Sequence, residues 1–204
     1  MLDAAAAISP LLRDDRVASR WAEPSALDGF TIGGLAGHLA RALDTIERYL
    51  ADAEPAEEDV IDAVTYYRIG RTKADDAQNA GIRQRGEEAG AIGPVALAAE
   101  HEARLDRVAA LLATVPVARR VAVAGGAVRM LIDEYLPTRL VEIVVHADDL
   151  AASVGADPVA FHPDASTRVI DVLVGIARDQ HGDAAVIRAL TRRERDTVEA
   201  LRVL

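Results

Sequence analysis

The chain contains no cysteine, which excludes disulfides, thiolate metal ligands and a thiol nucleophile carried by the protein itself. Any thiol chemistry must therefore use a thiol supplied from outside. Aromatic residues make up only 3% of the sequence, so the core has to be built from Ala, Val, Leu and Ile, a profile that favours helices. Positive charge is scarce as well. Lys73 is the only lysine, and 23 Lys and Arg against 33 Asp and Glu give a formal net charge of −10. That balance argues against nucleic acid or an anionic membrane as the main partner, since both reward a basic surface. The apolar stretch Leu2 to Leu12 is too short to span a bilayer, carries Asp3 and lacks a basic flank, so it does not read as a signal peptide. A cytoplasmic protein acting on small molecules is expected, as a monomer or a homodimer. There is no internal repeat and no low-complexity tract.

What is present is an ordinary globular composition, with 50% hydrophobic and 27% charged residues over 204 positions. That is enough for one domain with a full core. Apolar spacing predicts a first helix from Leu2 to Trp21, interrupted in pattern by Pro10, and a second from the N-cap Thr31 to Ala53 with Ile32, Leu35, Leu39, Leu43, Ile46 and Leu50 on one face. His38 sits at the edge of that face. Residues 54–93 read as a long, mobile connection with acidic Glu57, Glu58 and Asp59 and one short helix near Val60 to Tyr67. A third helix fits Pro94 to Thr114. Arg120 to Leu131 reads as a hairpin about Gly125-Gly126. A fourth helix ends at Gly155, with Pro137 at its start or at a kink. A fifth covers Asp164 to His181, and a last piece covers Ala184 to Arg195. Long helices with short connections favour an antiparallel bundle, whose interior can hold a metal site built from facing helices.

The fourth helix carries an unusual pattern. Tyr135, Arg139, Glu142, His146 and Asp149 follow one another at three- and four-residue spacing inside an apolar run that includes Val141, Ile143, Val145, Ala147 and Leu150. On a helix they form one polar stripe. A stripe buried in this way needs ion pairs, a hydrogen-bond network or a metal, because an unpartnered buried charge is costly. Glu142 and His146 can hold one ion from a single turn, with His38 as a third ligand from the second helix. Two imidazoles and a carboxylate suit Zn²⁺ first, with Ni²⁺, Fe²⁺ or Mn²⁺ next. Three protein ligands leave a coordination position open, as catalytic sites do. A Glu and a His four apart also occur by chance, and the usual outcome is a solvated pair or a capped core histidine. Arg139 reads either as a helix-surface partner of Glu142, worth roughly 0.3–0.5 kcal/mol, or as part of the site. His101, between Glu100 and Glu102, reads as a solvated histidine, as do His162 and His181.

Two blocks resemble a known family. Trp21 to Ala40, with Pro24-Ser25, Phe30-Thr31 and Leu35-Ala-Gly-His38-Leu39, resembles the opening of the mycothiol-dependent maleylpyruvate isomerase N-terminal domain, a member of the DinB-like metal-binding bundles. The second block is Arg139, Glu142, His146, Asp149-Leu150 and Gly155. The resemblance implies a mainly all-α, DinB-like four-helix bundle over residues 1–195, with a short hairpin, an extra C-terminal helix and a tail at 196–204. It implies His38, Glu142 and His146 as metal ligands, Asp149 beside the metal near the thiol cofactor, and Arg139 in a supporting role. It also implies mycothiol, or a similar low-molecular-weight thiol, as cosubstrate for an enzyme that attacks a small electrophile.

Arg192 and Arg193 resemble the end of the first domain of larger relatives. Those relatives continue into a second α/β domain that contributes to the active site, whereas this sequence ends at Leu204. S-transfer or another thiol-dependent reaction is thus expected over isomerisation of maleylpyruvate itself. Two rivals stand beside this reading: a metal-dependent hydrolase with Asp149 as general base, and a non-catalytic bundle that only binds a small ligand.

Overall fold

A computed structural model describes residues 1–56, 59–73, 76–191 and 201–203, the side chains of 71–73 and 76–78 excepted. The chain is mainly helical, with one two-stranded antiparallel sheet, as a DinB-like bundle with a short hairpin requires. No helix among the described residues is long and apolar enough to cross a membrane.

Three short helices, α1 (Leu2–Ala7), α2 (Ser9–Leu12) and α3 (Asp15–Ser19), stand where one continuous helix was expected. Pro10 has no N–H to continue the ladder and sits instead in the first turn of α2. Asp14 then caps α3, its carboxylate accepting from Arg16 N at 2.8 Å. The expected apolar residues Ala5, Ile8, Leu12 and Val17 are nonetheless buried.

The central element is α4 (Ile32–Ala51), capped by Thr31 Oγ1, which accepts from Gly34 N at 2.9 Å. It buries Ile32, Leu35, Leu39, Leu43 and Ile46 completely. It packs against α6 (Asp76–Gly90), α7 (Pro94–Leu112) and α8 (Ile132–Val154). Before α6 comes α5 (Ala63–Lys73), which lies against α8 and α9 (Pro163–His181), and α10 (Asp183–Thr191) closes on α9. The expected helix to Arg195 is described only as far as Thr191. Glu57, Glu58, Arg192, Arg193 and most of the 196–204 tail lie outside the described residues.

The largest correction concerns residues 54–93. Instead of a mobile connection, α5 and α6 occupy most of that stretch, and α6 fills a place in the bundle beside α4. Its packing face has no large apolar stripe to announce it, because it is made by glycine. A Cβ on Gly90 would come within 2.3 Å of Gly33 O, and one on Gly37 within 2.3 Å of Gly86 O. The two backbones meet directly, and residues that read as helix breakers are the contact.

The hairpin agrees with its sequence. β1 (Arg120–Val123) pairs with β2 (Val128–Leu131), Arg120 opposite Leu131 and Val123 opposite Val128. A 3-10 turn at Ala124–Gly126 joins them, with Gly125 at φ +70° and Gly126 at φ +86°. β2 leads directly into α8, which runs through Pro137 and ends where Gly155 adopts the left-handed conformation.

Candidate metal centre

The polar stripe lies on the face of α8 that meets α4 and α5. His38 Nε2 is 3.3 Å from Glu142 Oε2, and His146 Nε2 is 3.4 Å from that same oxygen. The two imidazoles meet edge to face with centroids 4.7 Å apart. One donor atom from each of the three residues falls within 4.8 Å of the others, a cluster able to hold a metal ion. Their side chains keep 17% (His38), 21% (Glu142) and 17% (His146) of their exposure, enough for a small ligand to arrive and too little for bulk solvent to screen them.

Behind His146, its Nδ1 lies 3.0 Å from Asp149 Oδ2. A carboxylate there fixes the ring orientation, and in the neutral ring it holds the proton on Nδ1 and leaves the Nε2 lone pair free to accept a hydrogen bond or meet an ion. Burial lowers the His146 pKa, but the bonds to Asp149 and Glu142 outweigh it and carry it up to about 9. Glu142 moves the opposite way. Desolvation favours its neutral form, yet the bonds from His146 and His38 and the charge of Arg139 hold it well below the usual carboxylate range.

Around these residues stands a shell that the sequence did not announce. Tyr67 of α5 is buried and places its hydroxyl 3.2 Å from Glu142 Oε1 and 3.1 Å from Thr138 O. Burial, then the charge of Glu142, pushes the Tyr67 hydroxyl well above its usual pKa, so it stays protonated. Phe30 lies 5.4 Å from the His38 ring, centroid to centroid. The only signal of Tyr67 in the sequence was a pair of tyrosines in a short helix, and nothing local says that this helix faces α8.

Of the two readings of Arg139, the surface ion pair with Glu142 is not formed. Its Nε donates to Thr138 Oγ1 at 3.1 Å, and its guanidinium carbon lies 4.9 Å from the Tyr135 ring centroid and 6.0 Å from that of Tyr66. Among the described residues it makes no salt bridge to a carboxylate. Burial disfavours its charge, but the neighbouring tyrosines and Glu142 more than compensate, and its pKa is raised.

His101 corrects another expectation. It is buried, not solvated, and its Nε2 lies 2.9 Å from Ala5 O. The spacing did carry this signal, since His101 lies three or four residues from Ala98, Leu97 and Leu105 on the stripe of α7. The flanking glutamates masked it. His162 and His181 are exposed as expected, and His162 accepts from Asp164 N at the start of α9.

The model of the mycothiol maleylpyruvate isomerase N-terminal domain matches residues 2–151. The chain belongs to that family. The matched span contains His38, Arg139, Glu142, His146 and Asp149, and the DinB-like fold of the family is the fold described above. Neither a search of curated proteins nor a search of solved structures found a match. The mycothiol maleylpyruvate isomerase family places this chain in mycothiol-related chemistry, and its three candidate ligands come from two helices inside the matched region.

Proposed function

We propose that the protein is a divalent-metal-dependent thiol enzyme that activates mycothiol, or a similar low-molecular-weight thiol, for S-transfer to or isomerisation of a small electrophile. The observation that carries this reading is the convergence of His38 Nε2, His146 Nε2 and Glu142 Oε2, with Asp149 holding the far side of one imidazole.

The residues fit a metal ion. Two neutral nitrogens and one carboxylate oxygen form a borderline donor set that suits Zn²⁺ first and Ni²⁺ next. Three protein ligands leave room for an exogenous one. When bound there, a divalent ion would supply the positive charge that lowers the pKa of a thiol near neutral pH. The lack of cysteine fits a thiol brought from outside.

The chain's own residues divide the remaining work. Asp149 orients His146 and compensates its charge. Arg139, stacked between Tyr135 and Tyr66 with Nε tied to Thr138, presents its remaining N–H donors to an acidic group of the thiol or substrate. The hydrolytic alternative asks Asp149 to act as a free general base. It has less support, because Oδ2 of that carboxylate is already engaged by His146.

The test is mycothiol-dependent conversion of a panel of small electrophiles by Zn²⁺-loaded protein, read as loss of the thiol for S-transfer and as change of the electrophile for isomerisation, which regenerates the thiol. Turnover is expected to vanish after chelation and in His146→Ala. Equal turnover by chelated and loaded protein, or ester or amide hydrolysis without consumption of thiol, would overturn the reading.

A further inference from the structure

A carboxylate ligand has two oxygens, and the partner of the second oxygen decides how it meets an ion. In Glu142, Oε2 faces both imidazoles, at 3.3 Å from His38 Nε2 and 3.4 Å from His146 Nε2. Oε1 instead receives the Tyr67 hydroxyl at 3.2 Å. Tyr67 comes from α5, whereas the ligands come from α4 and α8, so the carboxylate is held from outside the ligand helices. The same O–H is shared with Thr138 O at 3.1 Å, one turn before Glu142, a bifurcated donor that also fixes its position along α8. A phenol carries its proton near neutral pH, so the hydroxyl can donate to the carboxylate.

We propose that Tyr67 is a positioning residue that commits Glu142 to the metal through Oε2 alone, and so favours a small ion of low coordination number over ions that take both oxygens of a carboxylate. Zn²⁺ sites are commonly four-coordinate, whereas larger oxygen-seeking cations accept bidentate carboxylates. With Oε1 occupied by a hydrogen bond, the second oxygen is withdrawn from the ion. Removing the hydroxyl frees Oε1, and Glu142 can then swing to offer both oxygens.

This inference rests on the metal reading above, and the experiment separates the two. Zn²⁺ and Mn²⁺ affinities of the full chain are measured by chelator competition for wild type, Tyr67→Phe and Tyr66→Phe, and the visible absorption of the Co²⁺-loaded forms is recorded. Tyr66 is the adjacent tyrosine, with its ring 5.5 Å from Tyr67, and its hydroxyl makes no hydrogen bond to Glu142. In Tyr67→Phe the Zn²⁺ affinity should fall on the order of tenfold, as for loss of other partners of metal ligands. The Mn²⁺ affinity should fall less, so that the preference narrows, and the Co²⁺ absorption should weaken as coordination number rises. Tyr66→Phe should match wild type in all three.

An unchanged Zn²⁺ to Mn²⁺ preference with an unchanged Co²⁺ spectrum would overturn the role of Tyr67, as would an equal effect in Tyr66→Phe. X-ray absorption of Zn²⁺-loaded wild type supplies a check that does not depend on how a variant folds, and a carboxylate bound through both oxygens there would also overturn it. A wild-type chain that binds none of these ions would sink the metal reading itself, and this inference with it.

Discussion

His101 and His146 are both largely buried on long helices, yet the fold drives their protonation in opposite directions. His101 sits between α7 and α1, where Nε2 meets a backbone carbonyl and burial lowers its pKa. Its Nδ1 has no hydrogen-bond partner among the described residues. His146 sits between two carboxylates, Glu142 at Nε2 and Asp149 at Nδ1, and they lift its pKa to about 9 against the effect of burial. Burial alone therefore says little about a histidine's role, and what faces each ring nitrogen says most of it. One ring is a core residue with a polar tip. The other is, on the proposed reading, a ligand whose proton an ion would displace.

Glu142→Gln should break this contrast most severely. It removes the charge shared by both imidazoles, and affinity for Zn²⁺, read by chelator competition, should fall beyond detection. Asp149→Asn comes next. Losing the carboxylate behind a ligating histidine typically costs about 10–100-fold in metal affinity, and the same titration reads it. His101→Ala should act on stability alone. The loss of a buried ring and of the partner of Ala5 O should cost roughly 2–4 kcal/mol in denaturant unfolding, with metal affinity unchanged.

The contrast also reaches the pH dependence of stability in metal-free protein, and its sign differs between the two rings. The folded-state pKa of His101 lies below its unfolded value of 6.5, so its contribution is present above that pH and is lost as pH falls below it. The folded-state pKa of His146 is about 9 against 6.5, so its contribution is complete below 6.5 and is lost as pH rises through 9. Unfolding of His101→Gln and His146→Gln across pH 5 to 10 should therefore diverge from wild type in opposite directions. Parallel curves would contradict the two environments.

The sequence made the ligand helix legible, because a charged stripe in an apolar run is periodic and local. The hairpin, the ends of α4, α7 and α9 and the C-terminus of α8 were legible for the same reason, through caps, glycines and spacing, whereas Pro137 hid the start of α8 at Ile132. Two things were not. α6 packs by glycine against glycine, so its contact face carries no hydrophobic signal and reads as a loop. Tyr67 and the stacking of Arg139 depend on where α5 falls against α8, a long-range placement that no window of sequence contains. The break at Pro10 was visible as a weak point in the pattern, but its outcome depended on capping at Asp14.

On the proposed reading, His38, Glu142 and His146 hold one divalent ion and His101 holds none. Elemental analysis of purified wild type, His38→Ala, His146→Ala and His101→Ala tests it most directly. The account predicts about one ion per chain in wild type and His101→Ala, and a substoichiometric trace in the other two. Full metal content retained in both His38→Ala and His146→Ala would contradict it.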